Sequence, residues 1–254
     1  MKTIAFHIEK GGVGKTTTAV NMAFELARYG KTLLVDADPQ GNATGWLVDE
    51  PMAHDLCDVL DGRADLSQTI KEVRPNISVL PVFAIGGNLK EWSETALLSK
   101  KPMAFQRLLK DIKNTDYEYV IFDMSPGIST LEKKILTEVD EVIGVMRAES
   151  FSFDGLEIFE AELIKLRADW GAHFEVNKLV MNHVLSGLKL HQAYKIRVEA
   201  LKYKLFVINQ SVKISEAVTA QKSLREYDPK NLNLVTYERL GEAITNRQLA
   251  LLGV

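Results

Sequence analysis

One cysteine, Cys57, is the only thiol in 254 residues. That scarcity excludes an intrachain disulfide framework and any cysteine-rich metal or iron–sulfur centre within one copy, and it suits a reducing cytoplasm. An isolated cysteine is ordinarily a small buried apolar residue. Net charge is scarce as well: 31 Lys and Arg against 34 Asp and Glu leave −3. Bulk basicity therefore argues for no nucleic-acid partner, and any such surface has to be a local patch. No apolar run approaches the roughly 20 residues needed to cross a bilayer. The stretch between Met1-Lys2 and Glu9-Lys10 is too short for the core of a secretory signal. Internal repeats, low-complexity tracts and Gly/Ser linkers are absent.

What remains is a composition of 46% hydrophobic and 26% charged residues, ordinary for a soluble globular chain with one sizeable α/β core. Short apolar runs alternate with longer amphipathic stretches. Strands are expected at Thr3–Ile8, Thr32–Val35, Ile77–Val82, Tyr119–Phe122, Glu141–Met146, Lys178–Met181 and Leu205–Ile208. Helices are expected at Lys15–Tyr29, Pro102–Asn114, Thr130–Val139, Gly155–Trp170, Leu188–Lys202 and Val235–Leu252. Strands separated by helices of this length imply parallel pairing through right-handed crossovers. The expectation is a single α/β domain over 1–254, a mostly parallel twisted sheet with helices on both faces. No helix-turn-helix extension precedes it, because the first strand begins near residue 3. Ligands of such folds sit at the carboxyl ends of the strands. Five of the runs end there in polar residues: Lys10–Thr17, Asp36 and Asp38, Asp123, Asn182, and Asn209-Gln210.

Residues 10–17 read Lys-Gly-Gly-Val-Gly-Lys-Thr-Thr. Gly11, Gly12 and Gly14 let backbone N–H groups turn inward around phosphate oxygens without Cβ clashes. The helix that starts at Lys15 points its positive end at the same place. Lys15 supplies a full charge to the β- and γ-phosphates, and the Thr16 hydroxyl is placed for Mg²⁺. Val13 and Thr17 complete the loop. A dinucleotide fold is disfavoured, since the loop carries lysine and no Gly-x-Gly-x-x-Gly. The expected ligands are ATP and Mg²⁺, and the expected activity is an ATPase.

Lys10, a second lysine at the start of the loop, resembles the signature lysine of the deviant Walker A family, which includes the ParA, Soj and MinD ATPases. The similarity runs on through residues 16–47, with Asp36, Asp38, Pro39, Gln40, Gly41 and Asn42 matching the family's Asp-x-Asp-Pro-Gln-Gly-Asn. It continues in "YVIFDMSPG" (119–127), "FVINQSVKISEAV" (206–218) and "EYDPKN" (226–231). The resemblance implies that Lys10 reaches the partner's nucleotide across an ATP-bound homodimer, acting as an arginine finger does. It also implies that Asp38 orients or activates the attacking water. Phosphoryl transfer to water needs a metal and a positioned nucleophile more than covalent chemistry, so Asp123, in the Walker B position, is expected to hold a water ligand of Mg²⁺. Asp36 is expected to bond the Thr16/Mg²⁺ shell. Where the family usually has Asp-x-Pro-Pro, this chain has Asp123-Met124-Ser125-Pro126-Gly127, which implies a looser turn with a hydroxyl near the γ-phosphate and leaves the hydrolysis rate open.

At the base-reading end, an amide such as Asn182 can offer a donor and an acceptor to adenine, as in resembling ATPases. Ile208-Asn209-Gln210 stands where the family has Ile-Pro-Arg; backbone contacts to adenine survive that change and any role of the arginine does not. Between residues 189 and 213 the basic residues Lys189, Lys195, Arg197, Lys202, Lys204 and Lys213 meet a single acid, Glu199. Resembling ParA proteins bind DNA without sequence specificity through this region as ATP dimers. Lys189, Lys195, Arg197 and Lys202, with Lys222 and Lys230, are the expected DNA contacts, doubled by dimerisation. A basic helix face bathed only in solvent is the competing interpretation. The end, "EAITNRQLALLGV", has Arg247 as its only basic residue, a poor membrane anchor. The resemblance thus implies a cytoplasmic, nucleoid-associated partitioning ATPase whose hydrolysis is stimulated by a ParB-type centromere-binding protein or an equivalent cargo adaptor. Two other readings stay open: a ParA-like positioner of a protein cargo, and a nucleotide-dependent switch with negligible turnover.

Overall fold

Two uninterrupted apolar runs, KTIAFH and YVIFDM, form neighbouring strands at the middle of one sheet, β1 (Lys2–His7) and β5 (Tyr119–Met124). Strands buried on both faces read as continuous apolar runs, and every residue of β5 is buried. The remaining strands are β2 (Thr32–Ala37), β3 (Lys71–Arg74), β4 (Ile77–Leu80), β6 (Glu141–Arg147), β7 (Glu175–Val184) and β8 (Lys204–Asn209). The computed structural model describes residues 1–8, 10–148, 152–201 and 203–248, with the side chains of 152–155 excluded. Among these residues the strand order is β3-β4-β2-β5-β1-β6-β7-β8. All pairs are parallel except β3 with β4. The mostly parallel α/β sheet expected from the sequence is therefore present, with one extra strand. β3, "KEVR", is half-exposed and joins the edge through a bulge; its polar composition hid it.

The helices are α1 (Lys15–Leu26), α2 (Asn42–Leu47), α3 (Leu56–Asp61), α4 (Leu66–Thr69), α5 (Leu89–Thr95), α6 (Ala104–Lys113), α7 (Thr130–Glu138), α8 (Ser152–Trp170), α9 (Lys189–Glu199), α10 (Val212–Thr219), α11 (Leu224–Tyr227) and α12 (Asn233–Thr245). The six long helices match the expected ones within a few residues at most ends. The expected end of the last, at Leu252, lies outside the described residues. The short helices were not foreseen, because four to eight residues show too little of a helical period.

From β1 the chain moves toward β2 and β4, and from β5 it moves the other way to β6, β7 and β8. β1 is thus the switch point of the winding, where a crevice opens at the strand ends. The C-terminal helices pack back on α1. Arg225 of α11 bridges Glu25 of α1 at 2.7 Å and Glu238 of α12 at 2.8 Å. The Leu224 N–H donates to Asn21 Oδ1 at 2.8 Å, and Trp46 Nε1–H of α2 donates to the Lys222 carbonyl at 3.1 Å.

Candidate active site

The phosphate loop leaves β1 and enters α1 through two left-handed glycines, Gly12 at φ 72° and Gly14 at φ 94°. Left-handed backbone is costly for any residue with a Cβ. Gly14 is also needed for space: a Cβ there would lie 2.6 Å from Asn182 Nδ2. The Lys15 ammonium donates to the carbonyls of Ile8 at 3.3 Å and Lys10 at 3.1 Å, so it lies inside the curl of the loop. Burial pulls the Lys15 pKa down, and the carboxylates of Asp123, Asp38 and Glu132 draw it back up. Lys10 is exposed, and Val13 is buried beneath the loop.

A cleft of about 520 Å³ opens over this loop, lined by Gly11, Gly12, Gly14, Lys15, Thr16 and Thr17 on one side and by Asp38, Gln40, Asn42 and Trp46 on another. Asp38 is 7% exposed, and its Oδ1 accepts the Gln40 N–H at 2.9 Å. Asp36 does not line the cleft, and its oxygens are engaged by donors of the turn and of α2. Its Oδ2 accepts both the N–H and the hydroxyl of Thr44 at 2.7 Å, and its Oδ1 accepts the Asp38 N–H at 3.3 Å. Asp36 therefore acts through the turn: it anchors α2 and fixes the backbone that carries Asp38.

Asp123 is fully buried at the end of β5. Neither of its oxygens has a well-aligned hydrogen-bond partner among the described residues. Burial and the Asp36 charge push its pKa well above the ordinary carboxylate range, while the Thr16 hydroxyl and Lys15 pull the other way. A buried carboxylate with open lone pairs next to a hydroxyl is a donor set that fits a hard cation. Thr16 and Asp123 are thus the residues here that would hold Mg²⁺.

The turn after Asp123 is not loose. Ser125 donates its hydroxyl to Glu132 of α7 rather than to the cleft, which corrects the expected hydroxyl near the γ-phosphate. A second, smaller cleft of about 90 Å³ shares Gly14, Thr17, His183 and Val218 with the first, and adds Asn182, Asn209, Gln210, Ser211, Ile214 and Tyr237. Asn182 is buried, and its amide donates to the Val13 carbonyl at 2.9 Å and to Thr18 Oγ1 at 3.2 Å. The register of β7 shifts between Met181 and Val184, and His183 takes φ 56°. Such irregularities re-aim side chains beside sites, and this one turns Asn182 onto the loop. Asn182 is thus a brace whose donors are already committed, which corrects the expectation that it presents both donor and acceptor to a base. The Asn209 backbone is held on both sides by Asn233, N–H to Oδ1 at 2.8 Å and carbonyl from Nδ2 at 3.0 Å.

Residues 1–176 match the family model described as an AAA domain. The chain is 32% identical over 255 residues to the sporulation initiation inhibitor protein Soj of Bacillus subtilis, covering 96% of this chain and 98% of that one. It is 30% identical over 257 residues to the chromosome partitioning protein ParA of Caulobacter vibrioides, covering 98% and 95%. This chain belongs to the ParA/Soj family of P-loop ATPases. The ATP complex of Cyanothece McdA has the same fold, with a TM-score of 0.84 over 98% of both chains at 20% identity.

In this ParA/Soj-family chain the expected basic contacts among the described residues lie on α9 and on either side of α11. Lys195 and Lys204 line a cavity of about 780 Å³ beside β8, together with Arg247 and with Arg239, which the sequence reading did not single out. Lys195 lies 3.8 Å from Glu199, and Lys213 pairs with Glu216 at 2.8 Å. Lys189 and Arg197 are exposed on α9. Lys222 and Lys230 are exposed on either side of α11, and Lys222 sits beside Trp46 at the phosphate cleft. Lys202 lies outside the described residues. Among the described residues no helix is long and apolar enough to cross a membrane.

Other cleft-lining residues that the sequence reading missed are Trp46, His183, Val218 and Tyr237. Their only signal was position next to recognised strand ends or within the resembling segments; none has a motif of its own.

Proposed function

We propose that this chain is a partitioning ATPase that works as a nucleotide-timed dimer on DNA. ATP binds in the cleft over residues 11–17, with Lys15 and the loop N–H groups on its phosphates. Mg²⁺ held by Thr16 and Asp123 neutralises phosphate charge when bound. The base lies toward Asn209-Gln210, where the N–H groups are already bonded and the remaining acceptors are carbonyl oxygens and the Asn182 amide oxygen. Asp38 orients the attacking water, and Asp36 holds Asp38 in place. The exposed Lys10, one residue before the loop that lines this cleft, carries the dimer reading: Lys15 already supplies the charge within one copy, and the second lysine serves a partner copy's nucleotide. The dimer doubles the basic surface of Lys189, Lys195, Arg197, Lys222 and Lys230, binds DNA without sequence preference, and leaves it when a ParB-type or equivalent adaptor stimulates hydrolysis. The cargo is plasmid or chromosomal DNA.

DNA binding measured against nucleotide state and salt tests this cycle. Binding with ATP, little with ADP, and a steep fall with added salt are expected. Equal binding in every nucleotide state would sink the cycle. Phosphate release unmoved by DNA and adaptor would point to a switch without turnover.

A further inference from the structure

Three hydrogen-bond donors converge on one buried carboxylate behind the phosphate cleft. The Ser129 N–H donates to Glu132 Oε2 at 3.0 Å, and the Ser129 hydroxyl donates to the same oxygen. The first of these is half of the capping box that opens α7, whose other half runs from the Glu132 N–H to the Ser129 hydroxyl oxygen, and the two Ser129 donors occupy a single carboxylate oxygen. The other oxygen, Oε1, leaves the helix and accepts the Ser125 hydroxyl, in the loop that follows Asp123. Glu132 is only 2% exposed, so its carboxyl group depends on these donors for its hydrogen bonds. The opposite side of the loop meets the nucleotide machinery. Met124 and Pro126 line the phosphate cleft, and Pro126 Cγ lies 3.8 Å from where a Cβ on Gly11 would stand. One residue thus ties the start of α7 to the loop that walls the cleft.

We propose that Glu132 is a positioning residue: through Ser125 it latches the loop 124–127 against the phosphate loop and so sets the rate of turnover. The rate consequence rests on the ATPase reading above; the latch itself rests on geometry alone. A capping-box acid with no second task needs no partner outside its helix. A glutamine at 132 keeps one acceptor oxygen where the carboxylate has two. The two Ser129 donors hold that oxygen at the cap, so the bond from Ser125 is the one lost.

Two measurements decide this. Amide hydrogen exchange over residues 124–128 reads the latch without any turnover, and Ser125→Ala should speed it while Ser125→Thr restores it. Unchanged exchange in Ser125→Ala overturns the latch, whether or not the chain hydrolyses ATP. In steady-state hydrolysis, Ser125→Ala and Glu132→Gln should each lower kcat by about five- to tenfold with KM for ATP held within about twofold, the scale of one hydrogen bond acting on a barrier. The double variant should be no slower than either single, since both cut the same bond. Effects that multiply in the double variant, or a KM that rises with kcat unchanged, overturn the proposal. A wild-type chain that hydrolyses nothing even with DNA and adaptor counts against the ATPase cycle, and the exchange result still decides the latch.

Discussion

Asp36 on β2 stands directly across from Asp123 on β5, in register, and neither carboxyl is exposed. Burial pushes Asp36 up to about 6, against the pull of its bonds from Thr44 and Asp38. Burial and then the Asp36 charge push Asp123 well above the usual range. The two carboxyls differ in what they are given to hold. Asp36 has the α2 backbone, and Asp123 faces Thr16 with its lone pairs open.

Asp123→Asn should leave nucleotide-free stability unchanged or raise it by up to about 1 kcal/mol, because it removes a buried charge without removing a bond. The same change should weaken Mg²⁺-dependent ATP binding by about tenfold or more, as loss of a metal-supporting group does. Thermal melting without nucleotide and titration of ATP with and without Mg²⁺ check both halves. An apoprotein that melts well below wild type but binds Mg-ATP normally contradicts the assignment.

Gly14→Ala should abolish nucleotide binding and destabilise the fold by about 1–3 kcal/mol, the cost of an L residue held in left-handed backbone. Here the new methyl also meets Asn182 Nδ2 at 2.6 Å. Denaturant unfolding of the pair Gly14→Ala and Asn182→Ala separates the two causes. If strain alone acts, removing the Asn182 side chain does not rescue; if the clash contributes, part of the stability returns.

Asp38→Ala should retain ATP and the ATP-dependent dimer while slowing hydrolysis by at least about a hundredfold, the range for loss of a group that positions the attacking water. Lys10→Ala should bind ATP as a monomer. Light scattering with ATP and single-turnover phosphate release distinguish them. A Lys10→Ala protein that dimerises with ATP and hydrolyses it at the normal rate removes the trans role.

His7 closes β1 fully buried beside Phe159, with ring centroids 6.1 Å apart and neither ring nitrogen hydrogen-bonded among the described residues. Burial, and then the Lys15 charge, drop its pKa from 6.5 to about 3. The folded pKa is depressed below the unfolded one, so the contribution to stability is present above about 6.5 and is lost as pH falls toward 3. Over that window His7 should account for a few kcal/mol of acid destabilisation. His7→Leu, close in volume, should flatten the acid limb of melting temperature against pH. An acid limb as steep as that of wild type would show that other groups drive it.

The central strands were legible because burial on both faces forces continuous apolar runs, and β1, β2, β5 and β6 carry them. β3 escaped because an edge strand that half faces solvent keeps polar residues. The capping box of α7 is written as Ser-x-x-Glu at Ser129 and Glu132. The second bond of Glu132, to Ser125, has no motif, since it depends on how the loop after β5 folds back. Asn182 was read as a base contact for a similar reason: the atoms it bonds, the Val13 carbonyl and Thr18 Oγ1, lie more than 160 residues away in the chain.

The phosphate loop, by itself, was determined by sequence. Its glycines, its lysine and the helix that follows act over one turn of chain, and the backbone geometry they require is local. The division of labour among the carboxylates was decided only by tertiary structure. Asp36, Asp38 and Asp123 look alike at strand ends. The register of β2 against β5 and the docking of α2 determine which one meets backbone donors, which one faces the cleft and which one keeps its lone pairs open. A carboxylate's chemistry follows its solvation and its neighbours, and those come from residues that are distant in the chain.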